Sequence, residues 1–144
     1  MIQQGLTNSF KQEMLQVGQD LATDTLKMAL YTAFADIGQL TTVYTPDNEV
    51  PIGNGYAAGG VVMTGVTIST QTTGPAAGTV YVSFDNVSWP GANFTARGAL
   101  IYNVTRNGAS VAVLDFGSDK TFTSTNNTVT MPANTATTAL IRFP

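Results

Sequence analysis

The apolar positions of Phe94–Gly117 fall in two runs that meet at Asn107-Gly108. Asn-Gly between apolar runs is a strong hairpin signal. A two-residue type I′ turn needs positive φ at both central residues, and Gly, then Asn, reach that region at least cost. Such a turn would set Val104 opposite Val111, Tyr102 opposite Val113 and Leu100 opposite Asp115 on one side of the ribbon. The other side would carry Asn103 opposite Ala112, Ile101 opposite Leu114 and Ala99 opposite Phe116. Both sides are mostly apolar, so each needs a cover, and the hairpin reads as scaffold. Asp115 is the exception, because an unpaired charge on an apolar face is costly. A cation such as Lys120 or Arg97, or a place at the open end of the ribbon, would resolve it.

Elsewhere the pattern changes period. Leu6, Phe10, Met14, Val17 and Leu21 recur at spacings of four, four, three and four, which predicts one amphipathic helix over about 7–18. Thr7, Asn8 and Ser9 are its cap candidates, and Gly18 or Asp20 its end. Its apolar stripe either covers the domain's own sheet or docks on a partner chain. From Thr25 to Thr32 the period is two: Leu26, Met28 and Leu30 share one face of a half-buried strand. Residues 34–60 carry little regular pattern and are punctuated by Pro and Gly, with one short strand near Thr42–Tyr44. A loop that long is more often functional than idle. Strands follow at Val61–Thr70, with Gly65 as a bulge, at Thr79–Phe84 and along the hairpin. Shorter ones are expected at Lys120–Phe122, Thr128–Met131 and Ala139–Phe143. The expectation is one mainly β domain over 1–144: an antiparallel β-sandwich or jelly-roll-like barrel of about eight short strands with one N-terminal helix.

Composition narrows the function classes. Only 10% of the 144 residues are charged, against about 25% in an average soluble domain. Such a polar but weakly charged surface suits a protein that sits in an assembly. The net charge is −3 and the six cations are scattered, so no nucleic-acid footprint is expected. The chain has no Cys and no His, which removes disulfides, thiolate metal sites and the commonest general base. No apolar run is long enough for a membrane span, and no signal peptide is visible at the amino terminus.

No motif supplies chemistry. Gly53-Asn54-Gly55-Tyr56-Ala57-Ala58 superficially matches a dinucleotide fingerprint, but Pro51 precedes it and Gly59-Gly60 follows, so no helix opens there. The carboxylates show neither the clustering of a sugar-cleaving pair nor the ligand density of a Ca²⁺ loop. Neither catalysis nor a cofactor or metal is expected.

Several stretches do carry a resemblance: QGLTNSFKQEML, DTLKMALYT, NEVPIGNGYAAGGVVMTGVTIS, TARGALIYN with AVLDFGSDKT, and a closing ALIRFP. In that order, and over most of the chain, they resemble small virion structural proteins encoded by tailed bacteriophages. The resemblance implies a non-enzymatic, many-copy virion component, made in the host cytoplasm and homo-oligomeric in the particle. A capsid cement or decoration protein bound to the major capsid protein is the favoured role. A tail, adaptor or fibre-associated subunit is the alternative, and a carbohydrate-binding receptor module a weaker one. The candidate partner contacts are Phe10, Met14 and Val17 on the helix and Tyr44, Val50, Ile52 and Tyr56 on the long loop.

Overall fold

A computed structural model describes all of residues 1–144. In chain order the elements are β1 (Gly5–Leu6), α1 (Asn8–Leu15), β2 (Leu26–Tyr31), β3 (Val61–Val62), β4 (Thr67–Thr70) and β5 (Val80–Ser83). They continue with β6 (Val87–Ser88), β7 (Phe94–Asn103), β8 (Ala109–Phe122), β9 (Thr128–Val129) and β10 (Ile141–Phe143). The protein is mainly β, 38% strand and 6% helix, with antiparallel sheets and one helix. Five strands form one sheet in the order β1-β8-β7-β2-β3, three form a second in the order β10-β5-β4, and β6 pairs with β9.

The β7–β8 hairpin lies at the centre of the larger sheet, and both its faces are buried. On one face Leu26, Met28, Leu30, Ala99, Ile101 and Ala112 join the main core. Phe10 of α1, Val82 and Phe84 of the β5 segment, Trp89, Phe122 and Ile141 pack there too. On the other face Ala29, Tyr31, Leu100, Tyr102 and Val113 meet Ile2, Ala35, Ile37 and the partly buried Tyr44. Both faces are covered, as the apolar pattern of the hairpin requires. Helix and second sheet share one face, and the loop that follows β2 supplies the other. This also explains why β2 is buried on both faces rather than one.

The hairpin register differs from the two-residue turn. Leu100 pairs with Val113 and Ile101 with Ala112; past a bulge, Tyr102 pairs with Ser110 and Asn103 with Ala109. Asn107 and Gly108 do adopt positive φ, 57° and 80°, but inside a five-residue loop, 104–108. The cause lies outside the hairpin. The Val104 amide donates to the Thr25 carbonyl at 2.8 Å, and the Thr25 amide donates to Thr105 Oγ1 at 2.9 Å. Those bonds draw Val104 and Thr105 out of the ladder. Asp115 therefore pairs with Gly98, and its carboxylate lies 3.7 Å from Arg97 Nε while accepting from the Gly117 amide at 2.8 Å. Arg97, rather than Lys120, is its cation; Lys120 Nζ donates to the Thr128 carbonyl.

Other boundaries move for local reasons. Lys120–Phe122 is no separate strand but the far end of β8, paired with Phe94–Ala96. Val61–Thr70 divides at Gly65 (φ +65°), where a Cβ would collide with the Asp85 carboxylate; β3 and β4 then enter different sheets. Thr42–Tyr44 forms only an isolated bridge, Val43 to Ala109. The helix starts as expected, with Thr7 Oγ1 accepting from the Phe10 amide. It ends early: Gln16 caps it and Val17 turns left-handed at φ 58°. The apolar stripe thus breaks after Met14, and Val17 points away from the core.

Candidate functional site

The long arm between β2 and β3 is the largest segment without regular structure, and a single carboxylate organises it. At its start, the Thr32 amide donates to the Asn48 carbonyl and the Val50 amide to Leu30, which continues the sheet edge irregularly past Tyr31. This places Glu49 above the second face. Its two oxygens accept from Tyr44 Oη and Tyr56 Oη, both at 2.6 Å, and from the Gly59 amide at 2.7 Å. Tyr56 Oη in turn accepts from the Leu30 amide at 2.9 Å. Tyr102 Oη donates to the Gly59 carbonyl at 2.7 Å, and Tyr31 Oη to the Thr45 carbonyl at 2.6 Å. The Tyr44 and Tyr102 rings stack with centroids 4.6 Å apart. Four phenols from the sheet and the arm therefore close around one acid.

Burial pushes all four phenols above their ordinary value, and the Glu49 charge adds to the effect. They stay protonated, the state in which Tyr44 and Tyr56 donate to the carboxylate and Tyr31 and Tyr102 to backbone carbonyls. Gly60 completes the clamp: its φ is +75°, and a Cβ would run into the Met28 carbonyl. Only glycine lets the arm return this close to β2.

A second polar network ties the helix to the hairpin loop. The Asp24 side chain is 3% exposed and accepts from Arg106 Nε at 2.8 Å, Asn103 Nδ2 at 2.8 Å and the Asp20 amide at 2.9 Å. Asn103 also donates to Gln19 Oε1, and Gln19 donates to Glu13 on α1. Burial alone would raise the Asp24 carboxyl. The hydrogen bonds from Arg106, the Asp20 amide and Asn103, with the Arg106 charge, outweigh it and bring it down to about 2. A depressed carboxyl stabilises the fold above its unfolded value, and that contribution is lost as pH falls from about 4 through about 2. In acid melts the wild type should therefore lose stability over this window. Asp24→Asn should start about 2 kcal/mol less stable at neutral pH and converge with the wild type near pH 2.

Two further acids hold nearby donors. Asp85 accepts from Thr64, and Asp20 from the Ala22 amide and Thr23. No group of three or more acidic residues converges as metal ligands would. A polar cleft of about 370 Å³ lies at Gly65, Ser83, Asp85, Asn86 and Asn134. An apolar one of about 360 Å³ opens where Met14 and Val17 of the helix end face Ile68, Val80 and Phe143 of the smaller sheet.

The seven residues expected to touch a partner separate into three kinds. Phe10, Val50 and Tyr56 are core residues and cannot form a surface: Phe10 fills the space under the large sheet, Val50 hydrogen-bonds β2 from within, and Tyr56 is spent on Glu49. Met14 and Tyr44 are half-buried. Val17 and Ile52 are open to solvent, 86% and 76% exposed. Leu15, Phe34 and Leu40, which the pattern did not single out, are as exposed, at 84–88%. Leu15 lies off the helical stripe, and Phe34 and Leu40 lie in the arm. A large apolar residue in a stretch with no periodicity is the one signal that could have identified the last two.

No protein-family model, curated protein or solved structure matches the chain.

Proposed function

We propose that this is a non-enzymatic structural protein of a tailed-phage virion, present in many copies, and most specifically a cement or decoration protein of the head. The observation that carries the reading is the set of large apolar side chains held out from a fold with few charges. Leu15 and Val17 project from the helix end, and Phe34, Leu40 and Ile52 from the arm. Such side chains gain about 25 cal/mol per Å² when a neighbour covers them. Few charges nearby need desolvating, so the surface suits burial against other subunits. The Glu49 clamp supports this as well, because an arm fixed in advance loses little entropy on docking. The two larger sheets, which share one core, are read as the layers of a β-sandwich that holds the arm in place. The partner is the major capsid protein, the setting is the assembled virion, and multivalent contact would oppose the internal pressure of packaged DNA.

The test is binding to heads of the cognate phage depleted of this protein. Leu40→Asp and Ile52→Asp lie on the surface and should leave the melting temperature unchanged. Each should weaken binding about tenfold or more. Wild-type protein that ignores depleted heads, or variants that bind as tightly as it does, would remove the cement reading. Binding confined to a few sites per particle would move the protein to the tail.

A further inference from the structure

The sheet edges of this fold are not equally protected. β1 and β3, at the edges of the large sheet, are two residues each, too short to template another strand. The open side of β8 carries Asp115, Asp119 and Lys120 and a break in register. β10 carries Arg142 and is followed by Pro144. These are the devices by which monomeric β proteins keep edges from pairing.

β4 has none of them. It is hydrogen-bonded to β5 alone, and Thr67, Ile68 and Thr70 are exposed. Between Glu49 and Asp85 the chain contains no charged residue, so no charge lies on β4, on β5 or on the loop that joins them. The single proline of that loop, Pro75, is outside both strands. The pairing leaves a defined set of backbone groups free. The Gln71 amide donates to the Thr79 carbonyl and the Gly78 amide to the Gln71 carbonyl, so Gln71 turns both its backbone groups toward β5 across a bulge and sets the phase of the ladder. By alternation Ser69–Tyr81 and Thr67–Ser83 are hydrogen-bonded as well, and Ile68 and Thr70 direct their N–H and C=O groups outward.

We propose that the β4 edge is a self-association surface and that its occupant is β4 of a second copy, added antiparallel about a two-fold axis through Ser69. The spacing is self-complementary: Ile68 of each copy exchanges both backbone bonds with Thr70 of the other. The three-stranded sheets of the two copies then form one continuous sheet. Ile68 lies opposite Val82, on the face that looks into the core, yet it is 50% exposed. The second copy's Ile68 and Thr70 extend that face and cover it. Charge favours a second copy of this chain: no charged residue lies on the edge strand itself, so the two strands meet without repulsion. The contact is small, so the association is concentration-dependent in solution and strengthened where copies are already held side by side. This inference does not depend on which surface of a virion the protein occupies.

Sedimentation velocity of the purified chain up to the millimolar range tests it, with amide hydrogen exchange on the same samples. The expected result is a monomer–dimer equilibrium in which the Ile68 and Thr70 amides gain protection as concentration rises. Thr70→Pro removes an N–H that the β4–β5 ladder does not use, so it is tolerated in the monomer and raises the dissociation constant about tenfold or more. Ile68→Lys places like charges beside the axis and abolishes the dimer, with the far-UV spectrum unchanged, and it serves if the proline variant does not fold. A wild type that stays monomeric overturns the proposal, as does a dimer that survives Ile68→Lys.

Discussion

Glu49→Ala is expected to lower the unfolding free energy by about 3–5 kcal/mol and to free the arm. The carboxylate accepts three hydrogen bonds, from Tyr44, Tyr56 and the Gly59 amide. Bonds to a charged group contribute about 1.5–3 kcal/mol each, and three on one acceptor add less than fully. Alanine leaves two phenols and an amide without an acceptor, so the arm should also detach locally before the domain unfolds. Urea denaturation measures the first effect. Limited chymotrypsin digestion measures the second, with cleavage after Phe34, Leu40 and Tyr44 appearing in the variant under native conditions. Glu49→Gln should recover part of the loss, because its carbonyl still accepts.

Phe10→Ala is expected to cost about 3–5 kcal/mol, the range for deleting a fully buried aromatic ring. Phe10 has no exposed surface and packs in the main core, whereas Val17, two turns along the same apolar pattern, is almost fully exposed. Val17→Ala should therefore change stability by less than about 0.5 kcal/mol. The pair separates a buried from an exposed position of the same apolar pattern in one thermal melt each. A small loss at Phe10 would mean that the helix does not cover the sheet as described.

Parts of this architecture were legible in the chain and parts were not, for identifiable reasons. The two apolar faces of the hairpin required two covers, and the alternation at Leu26–Leu30 identified β2. The helix start was legible to within the three cap candidates Thr7, Asn8 and Ser9, because a hydroxyl or amide side chain caps locally, and Thr7 is the one that does. What failed was decided by distant partners. The hairpin register depends on Thr25, which takes the Val104 amide. The second cover is an arm with no periodicity, because its order comes from Glu49 and tyrosines brought from as far away as Tyr102. The early end of the helix follows from the left-handed turn at Val17, a residue whose type gives no warning of it.

The candidate contacts divide by burial, which the residue pattern does not reveal. Apolar residues on a helix stripe or in a loop read alike from sequence, whether they face inward or outward. Burial consumes Phe10, Val50 and Tyr56, and leaves Val17 and Ile52 outside with Leu15, Phe34 and Leu40. Asp115 was recognisable as an oddity, and its answer is geometric. The shifted register carries it from Leu100 to the partly open position opposite Gly98, beside Arg97.

The most direct test of the account is the stoichiometry with which purified protein saturates depleted heads. A cement protein of the head should bind saturably, approaching one copy per shell subunit, and raise the heads' resistance to heat. Saturation at a handful of copies per particle, or no binding at all, would contradict this reading.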